Sequence, residues 1–163
     1  MKMIQFKAFT GTVVSMNDLH SSEYGEGCSK IIALQNEEGA PVNFILTPST
    51  YVVNQDMIAI GDTVTGYYDA NAPAILIYPP QYQALIMVKE QTYQNVKVSY
   101  FNSDLISNDH QLKLNIHPYT QIITTNGQAF TGNIANRTLI VIYGPSTKSI
   151  PAQTMPHKII VMC

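Results

Sequence analysis

The sequence predicts an all-β protein composed of two tandem small β-barrels that are related by internal duplication. Three observations predict this class: short segments rich in Val, Ile, Thr, Tyr and Phe recur along the chain, helical periodicity is almost absent, and motifs from the first half return in the same order in the second. A chain of 163 residues has room for two small domains, which we place at residues 1–90 and 91–163.

The first half contains six predicted strands. β-branched and aromatic residues favour strands, whereas Gly, Pro, Asn and Asp favour the turns between them. Gly61 and Asp62 precede the fifth strand, where glycine allows a tight turn and the carboxylate can accept hydrogen bonds from nearby backbone N–H groups. The six segments are Phe6–Met16, Lys30–Leu34, Val42–Leu46, Tyr51–Val53, Thr63–Tyr68 and Ala84–Val88.

The second half contains five predicted strands by the same criteria. Turn dipeptides such as Asn126-Gly127 and Gly144-Pro145 separate them. Many short strands between such turns are typical of a β-sandwich or a β-barrel. The five segments are Val96–Phe101, Leu112–Ile116, Gln121–Thr124, Thr138–Tyr143 and Lys158–Met162.

Four motifs of the first half align with motifs of the second at offsets between 70 and 75 residues. LTPSTYVV aligns with IHPYTQII, TVTGYY with TLIVIY, PPQ with PAQ, and ALIMV from Ala84 with KIIVM from Lys158. Upstream, NDL at Asn17 aligns with SDL at Ser103, and the first copy has a longer hairpin around Ser21–Gly27. Biased composition can align β-rich segments by chance, but the conserved order and the shared prolines favour duplication.

Each copy holds about five strands in 70–90 residues, which suits a small closed barrel of the OB type. Closure removes the exposed sheet edges that a β-unit with few charged residues would otherwise present. A unit of this size alone buries only about 60–65% of its unfolded surface. We therefore expect the two units to share an interface, with their junction near Glu90–Gln94.

Charged residues make up only 12% of the chain and the formal net charge is −2. Residues 1–90 hold nine acidic and four basic side chains, a charge of −5, whereas residues 91–163 hold two acidic and five basic side chains, a charge of +3. The opposite signs favour packing of one half on the other or antiparallel dimerisation, although two separately solvated surfaces would show the same sums. A homo-oligomer is therefore one expectation.

The most distinctive stretch lies between the fifth and sixth predicted strands of the first half. Tyr offers a large contact area with only two side-chain torsions to restrict, so tyrosines are favoured where proteins bind partners. We predict a polar aromatic ledge at this position. The alternative is that the rings pack over the barrel mouth while Asp69 and Asn71 cap backbone N–H groups. The ledge consists of Tyr67, Tyr68, Asp69, Asn71, Tyr78 and Tyr82.

The motif GDTVTGYYDANAP…IYPPQYQALIMVK resembles a module of uncharacterised bacterial proteins, some of which carry domains similar to the N-terminal domain of copper amine oxidases. The resemblance covers about residues 5–89. It implies a small β-barrel module without an assigned activity, and it transfers no catalytic residue. In the second half Tyr143 matches Tyr68, but Gly144-Pro145-Ser146 replaces Asp69-Ala70-Asn71, so we expect the site to be lost there.

The sequence predicts a non-enzymatic binding or assembly module whose ligand is a protein, a peptide or a glycan. It contains no GxSxG, HExxH, P-loop or GxGxxG motif, so we predict neither an enzyme nor a cofactor. The start of the chain lacks the apolar core of a signal peptide, and no segment is apolar enough to span a membrane. The chain is thus expected in the cytoplasm unless a leader was removed.

Two alternative functions stay open. Single-stranded nucleic acid needs aromatic platforms beside cations, and these occur together only in the second half, at Lys97, Lys113, Arg137, Lys148 and Lys158 with Tyr100, Phe101, Tyr119 and Tyr143. Copper(I) prefers soft ligands, and Met155, His157, Met162 and Cys163 lie close in sequence, although Met162 and Cys163 would face opposite sides of a strand. The two cysteines form no metal motif, but a Cys28–Cys163 bridge is one arrangement that the sequence allows.

Overall fold

The computed structural model describes residues 4–20, 23–73 and 75–163, and it confirms the predicted all-β class. Part of the predicted Ser21–Gly27 hairpin and the first three residues lie outside the described residues. The chain divides into two compact units, Met1–Glu90 and Gln91–Cys163. No helix among the described residues is long and apolar enough to cross a membrane.

The first unit contains seven described strands and one 3₁₀ turn at Val53–Gln55. The strands are β1 Phe6–Asp18, β2 Lys30–Gln35, β3 Pro41–Leu46, β4 Tyr51–Val52, β5 Thr63–Asp69, β6 Gln81–Gln83 and β7 Ile86–Lys89. They form a sheet in the order β4-β7-β5-β1-β2-β3-β6. Strands β1, β2 and β3 are an antiparallel meander, and β5 pairs antiparallel with the other edge of β1.

Strands β6 and β7 lie at opposite sides of this sheet although only Ala84 and Leu85 separate them in sequence. β6 pairs parallel with β3, whereas β7 pairs antiparallel with β5. The two intervening residues bond to both neighbours: the Ala84 N–H donates to the Ile45 carbonyl at 3.0 Å, and the Leu85 N–H donates to the Tyr67 carbonyl at 2.8 Å. The segment 81–89 is therefore in contact with β3 at one end and β5 at the other.

The Thr50 hydroxyl joins the turn before β4 to this segment. Its Oγ1 accepts from the Thr47 N–H at 3.1 Å and donates to the Ala84 carbonyl at 2.8 Å. Thr50 is buried, so both bonds are protected from water. They hold β4 beside β7, with which it pairs in parallel.

The core of the first unit is built from the alternate side chains of its strands, since successive strand residues point to opposite faces. Its fully buried members include Val13, Ile32, Leu34, Phe44 and Val64. A β-carbon added at Gly66 would lie 2.6–2.9 Å from three atoms of the Phe44 ring. The missing side chain of Gly66 is therefore what lets the Phe44 ring lie against β5.

The second unit contains six described strands, β8 Asn95–Phe101, β9 Leu112–Leu114, β10 Gln121–Thr124, β11 Arg137–Tyr143, β12 Ala152–Thr154 and β13 Lys158–Val161. Four of them form a sheet in the order β10-β13-β11-β8, and β12 pairs parallel with β9. Two isolated bridges, Phe101 with Ser107 and Ile106 with Lys113, connect β8 to β9. The core includes Phe101, Leu114, Leu139, Val141 and Ile159.

Thr120 joins the turn before β10 to the segment that precedes β13. Its Oγ1 accepts from the His117 N–H at 3.1 Å and donates to the Pro156 carbonyl at 2.8 Å. These bonds hold β10 beside β13, with which it pairs in parallel. Thr120 thus repeats in the second unit the two contacts that Thr50 makes in the first.

Two strands were not predicted from the sequence. β6 and β12 are three residues each, directly follow proline-containing turns, and each hold only one residue that favours strands, Tyr82 and Thr154 respectively. Local strand propensity is therefore weak in both segments. They form strands because β6 pairs with β3 and β12 pairs with β9. Cys28 and Cys163 are both exposed and free, so the bridge that the sequence allowed is not formed.

Candidate functional site

Two of the predicted ledge tyrosines form a stacked pair beside the core of the first unit. The rings of Tyr68 and Tyr82 have centroids 3.8 Å apart and planes 9° apart. Phe44 contacts both at centroid distances of 6.1 Å. Burial, and secondarily the hydrogen bond with the Tyr82 hydroxyl, raises the pKa of Tyr68 above its ordinary value. Both rings are half-buried and pack against the core of the first unit, so they support the surface and do not project from it.

Tyr67 lies on the other face of β5, because neighbouring residues of a strand point in opposite directions. Asp69 ends that strand, and its Oδ1 accepts hydrogen bonds from the backbone N–H of Gln5 at 3.1 Å and of Asn71 at 2.9 Å. The Asp69 carboxylate therefore caps one backbone N–H at the start of the β5–β6 connection and one directly before β1. The structure brings Tyr68 and Tyr82 together and places Tyr67 away from them.

The β5–β6 connection exposes four consecutive apolar residues, which we call the apolar loop. The exposed fractions are 63% for Ile75, 102% for Leu76, 48% for Ile77 and 81% for Tyr78. Sequence reasoning selected Tyr78 and passed over the three aliphatic residues. The missed signal was an apolar run between Pro73 and Pro79, which cannot form part of a core strand.

Both ends of the apolar loop are attached to the sheet. At one end Asp69 bonds the Gln5 N–H and the Ala70 N–H donates to the Gln5 carbonyl at 2.8 Å. At the other end the Asn43 N–H donates to the Pro80 carbonyl at 2.8 Å. The loop thus presents its apolar side chains from a fixed base.

The β11–β12 connection of the second unit exposes one large apolar side chain, Ile150 at 83%, and several of its polar groups are hydrogen-bonded. The Thr147 N–H donates to the Gln153 carbonyl at 2.9 Å, and its Oγ1 accepts from the Gln153 N–H at 2.9 Å. The Ser149 hydroxyl lies 2.7 Å from the Thr147 hydroxyl and donates to the Pro151 carbonyl. Of these two connections, the one in the first unit exposes a run of four apolar residues and the one in the second unit does not.

The second unit has a cavity of about 490 Å³, which we call the His–Tyr pocket. Its lining contains aromatic, thioether and imidazole groups and no Asp, Glu, Lys or Arg side chain. The Tyr119 ring is 88% exposed and stacks on His117 at a centroid distance of 5.0 Å. The lining residues are His117, Tyr119, Thr120, Met155, Pro156 and His157.

The two histidines of the His–Tyr pocket differ in their surroundings. His117 Nδ1 accepts a hydrogen bond from the Tyr119 N–H at 3.1 Å, so in the neutral ring the proton lies on Nε2. A β-carbon added at Gly144 would lie 3.1 Å from His157 Nε2, which places that ring against the β11–β12 connection. His117 therefore offers a donor at the pocket, while His157 packs on the adjacent backbone.

Several of the residues proposed for copper binding and for nucleic-acid binding have defined surroundings in the second unit. Met155 and His157 line the His–Tyr pocket, whereas Met162 and Cys163 follow β13 and do not line it. In the described part of the chain, no group of three or more His, Cys, Asp or Glu side chains could hold a metal ion. Lys97 forms an ion pair with Asp109, and the Arg137 guanidinium lies 5.0 Å from the Phe130 ring centroid.

In comparisons with known proteins, no family model matches this chain and no curated protein matches it. The resemblance of residues 5–89 to uncharacterised bacterial modules therefore stays a prediction. The functional proposal rests on the fold and on the surface chemistry of the chain itself.

Proposed function

We propose that this chain is a non-enzymatic binding module of two OB-type barrels, and that the apolar loop of the first unit contacts a protein or peptide partner. The observation that carries the proposal is the exposure of Ile75, Leu76, Ile77 and Tyr78 on an anchored connection. Contiguous exposed apolar surface is uncommon on monomeric proteins and marks interaction sites.

The strand pairing supports an OB-type barrel in the first unit. Starting at β5, the neighbours run through β1, β2 and β3 to the segment 81–89, and that segment returns to β5 through β7. Counting 81–89 as one strand gives five strands in a closed circuit, as in a five-stranded Greek-key barrel. The second unit has the same sequence of neighbours. β11 pairs with β8, the bridges at Ser107 and Ile106 connect β8 to β9, β9 pairs with β12, and β13 pairs with β11.

Matched contacts support an origin by duplication. β3 pairs with β6 as β9 pairs with β12, and β4 pairs with β7 as β10 pairs with β13, all four in parallel. Thr50 and Thr120 make equivalent pairs of hydrogen bonds. The strand pairing changes one detail of the sequence alignment. Ile86 pairs with Tyr51 as Lys158 pairs with Gln121, so Ile86, and not Ala84, matches Lys158.

The chemistry of the apolar loop favours a protein or peptide over a glycan. Aliphatic side chains gain free energy when they meet other apolar groups, at about 25 cal/mol per Å² of buried surface. A sugar presents hydroxyl groups that need hydrogen-bond partners, which Ile75, Leu76 and Ile77 side chains cannot provide. Tyr78 adds a rigid aromatic contact at the end of the loop, as is common at protein interfaces.

The stacked tyrosines have a supporting role in this proposal. Tyr82 lies in β6, directly after the apolar loop, and Tyr68 lies in β5, before it. Their stacking fixes the two strands that carry the loop. Of the six predicted ledge residues, Tyr78 is thus proposed to contact the partner, and Tyr68, Tyr82 and Asp69 are proposed to fix the ends of the apolar loop.

The test is a peptide-library selection on the immobilised chain, followed by calorimetric titration of the strongest selected peptide against variants. Leu76→Ser removes the most exposed side chain of the loop, and Ile60→Ser removes an exposed isoleucine outside it as the matched control. We expect Leu76→Ser to weaken binding at least tenfold, because a buried leucine contributes about 1.5–3 kcal/mol and 1.4 kcal/mol is a factor of ten. We expect Ile60→Ser to bind within twofold of the wild type.

Three further probes cover the other ligand classes: a glycan array, an oligothymidylate at low ionic strength, and Cu(I). Failure to select any peptide, or equal binding of the peptide by wild type and Leu76→Ser, would overturn the proposal. Oligothymidylate affinity that falls steeply with salt would favour nucleic-acid binding instead. Stoichiometric copper retention would favour a metal-binding role.

A further inference from the structure

We propose that two copies of this chain bind each other through unlike surfaces, with the apolar loop of one copy inserted in the His–Tyr pocket of the other. The inference rests on the proposed function, because it names a second copy of the chain as one protein partner of the loop. It also assigns a role to the pocket, which the proposed function leaves unused.

The apolar loop has the properties of an inserting element. Leu76 and Tyr78 are almost fully exposed, and the chain on either side is bonded to the sheet through Asp69 and Pro80. An element held at both ends loses less conformational freedom on binding than a free segment does. The loop can therefore use most of the free energy of its apolar contacts for association.

The His–Tyr pocket has the properties of a receptor for apolar side chains. It is an open cleft, and its volume of about 490 Å³ lies within the range of ligand-binding clefts. Met155 and Pro156 give it apolar walls, and Tyr119 gives it an aromatic wall. None of the lining side chains carries a permanent charge, so an entering leucine would not bury one.

The charge distribution favours contact between unlike units. The first unit, which carries the loop, has a formal charge of −5, and the second unit, which carries the pocket, has a formal charge of +3. A loop-to-loop contact between two copies would bring two acidic units together, whereas a loop-to-pocket contact brings an acidic unit to a basic one. The contact is therefore heterologous, with different surfaces from the two copies.

The test is sedimentation velocity of the full chain over a range of concentrations with two single variants and a control. Leu76→Ser alters the loop and Tyr119→Ala alters the pocket. The control, Ile60→Ser, removes an exposed isoleucine that belongs to neither the loop nor the pocket. We expect the wild type and Ile60→Ser to self-associate, and each of the other two variants to do so at least tenfold more weakly. Circular dichroism confirms that all four proteins are folded.

Mixing the two defective variants gives the decisive result. The Tyr119→Ala chain keeps an intact loop and the Leu76→Ser chain keeps an intact pocket, so an equimolar mixture regains one loop-to-pocket contact per pair. We expect the mixture to form heterodimers more strongly than either variant alone forms homodimers. The affinity should also fall with added salt, because opposite net charges contribute.

Three results would overturn the inference: a monomeric wild type at every concentration, self-association that Tyr119→Ala leaves unchanged, or a mixture no stronger than its components. Each is distinguishable from failure of the proposed function. If the selected peptide still binds in a Leu76-dependent way, the loop remains a contact surface and only its pairing with a second copy is excluded.

Discussion

Tyr68 and Tyr82 stack face to face across the base of the apolar loop, with ring centroids 3.8 Å apart. Tyr68 belongs to β5 and Tyr82 to β6, and these strands are joined by the long connection that contains the loop. The stack therefore fastens the two strands at the point where the chain leaves and re-enters the sheet. Phe44 lies against both rings and connects the pair to the core.

Tyr82→Ala should destabilise the first unit by about 2–3 kcal/mol, because it removes a half-buried ring and its contacts with Tyr68 and Phe44. Tyr82→Phe keeps the stack and loses the hydroxyl contact with Tyr68, so a cost of about 0.5–1.5 kcal/mol is expected. Urea denaturation of both variants measures the difference. Equal costs would show that the hydroxyl, and not the stacked ring, holds the strands.

Gly66→Ala should destabilise the chain by about 1–3 kcal/mol, because the added methyl group would lie within 3 Å of the Phe44 ring. Under the proposed duplication, Leu114 and Val141 of the second core stand at the positions of Phe44 and Gly66, so a smaller side chain on one strand accompanies a larger one on the other. The double variant Gly66→Ala/Phe44→Leu should therefore lose less stability than the two single variants together.

A double-mutant cycle in urea measures this coupling, and the expected interaction is about 1 kcal/mol in favour of the double variant. Strict additivity would contradict the contact between the Phe44 ring and the backbone of β5.

Thr50→Val and Thr120→Val should each cost about 1–3 kcal/mol, because each leaves a turn N–H and a strand carbonyl without the hydroxyl partner. Hydrogen exchange read by mass spectrometry should show faster exchange in the turn before β4 for the first variant, and before β10 for the second. Thr63→Val, at an exposed position at the start of β5, is the control and should change neither turn. Unequal effects at the two threonines would contradict their structural equivalence.

Alkaline pH should lower the stability of the chain partly through Tyr143. Burial, and secondarily the charge of Asp109, raises the pKa of Tyr143 above 10.0. The unfolded chain then loses the proton first, so this contribution is intact below about pH 10 and is lost as pH rises through the higher folded pKa. Urea midpoints between pH 8 and 11 should fall less steeply for Tyr143→Phe than for the wild type.

Tyr93→Phe changes an exposed tyrosine and is the control, which should follow the wild type. Parallel curves for Tyr143→Phe and the wild type would contradict a raised pKa of Tyr143.

The all-β class and most strand positions could be predicted from the sequence, because β-branched and aromatic residues are concentrated in short segments such as Gln121–Thr124 and Thr138–Tyr143. β6 and β12 could not, since each is three residues long with a single strand-favouring residue and forms through pairing with a strand distant in sequence. Local sequence carries no information on such pairing.

The candidate site was predicted in part. The Tyr-rich segment drew attention to the β5–β6 connection, but the sequence does not show which tyrosines face the core. Strand alternation places Tyr68 inward and Tyr67 outward once β5 is known. Ile75, Leu76 and Ile77 have the composition of a core strand, and in the sequence only the flanking prolines argue against one. Their exposure identifies them as surface residues.

The most direct test of the proposed binding surface is an NMR titration of the isotope-labelled chain with the library-selected peptide. We predict that the largest backbone chemical-shift changes fall on Ile75–Tyr78 and on the adjoining ends of β5 and β6. Largest changes outside the β5–β6 connection, or no saturable change at millimolar peptide, would contradict the apolar loop as the contact surface.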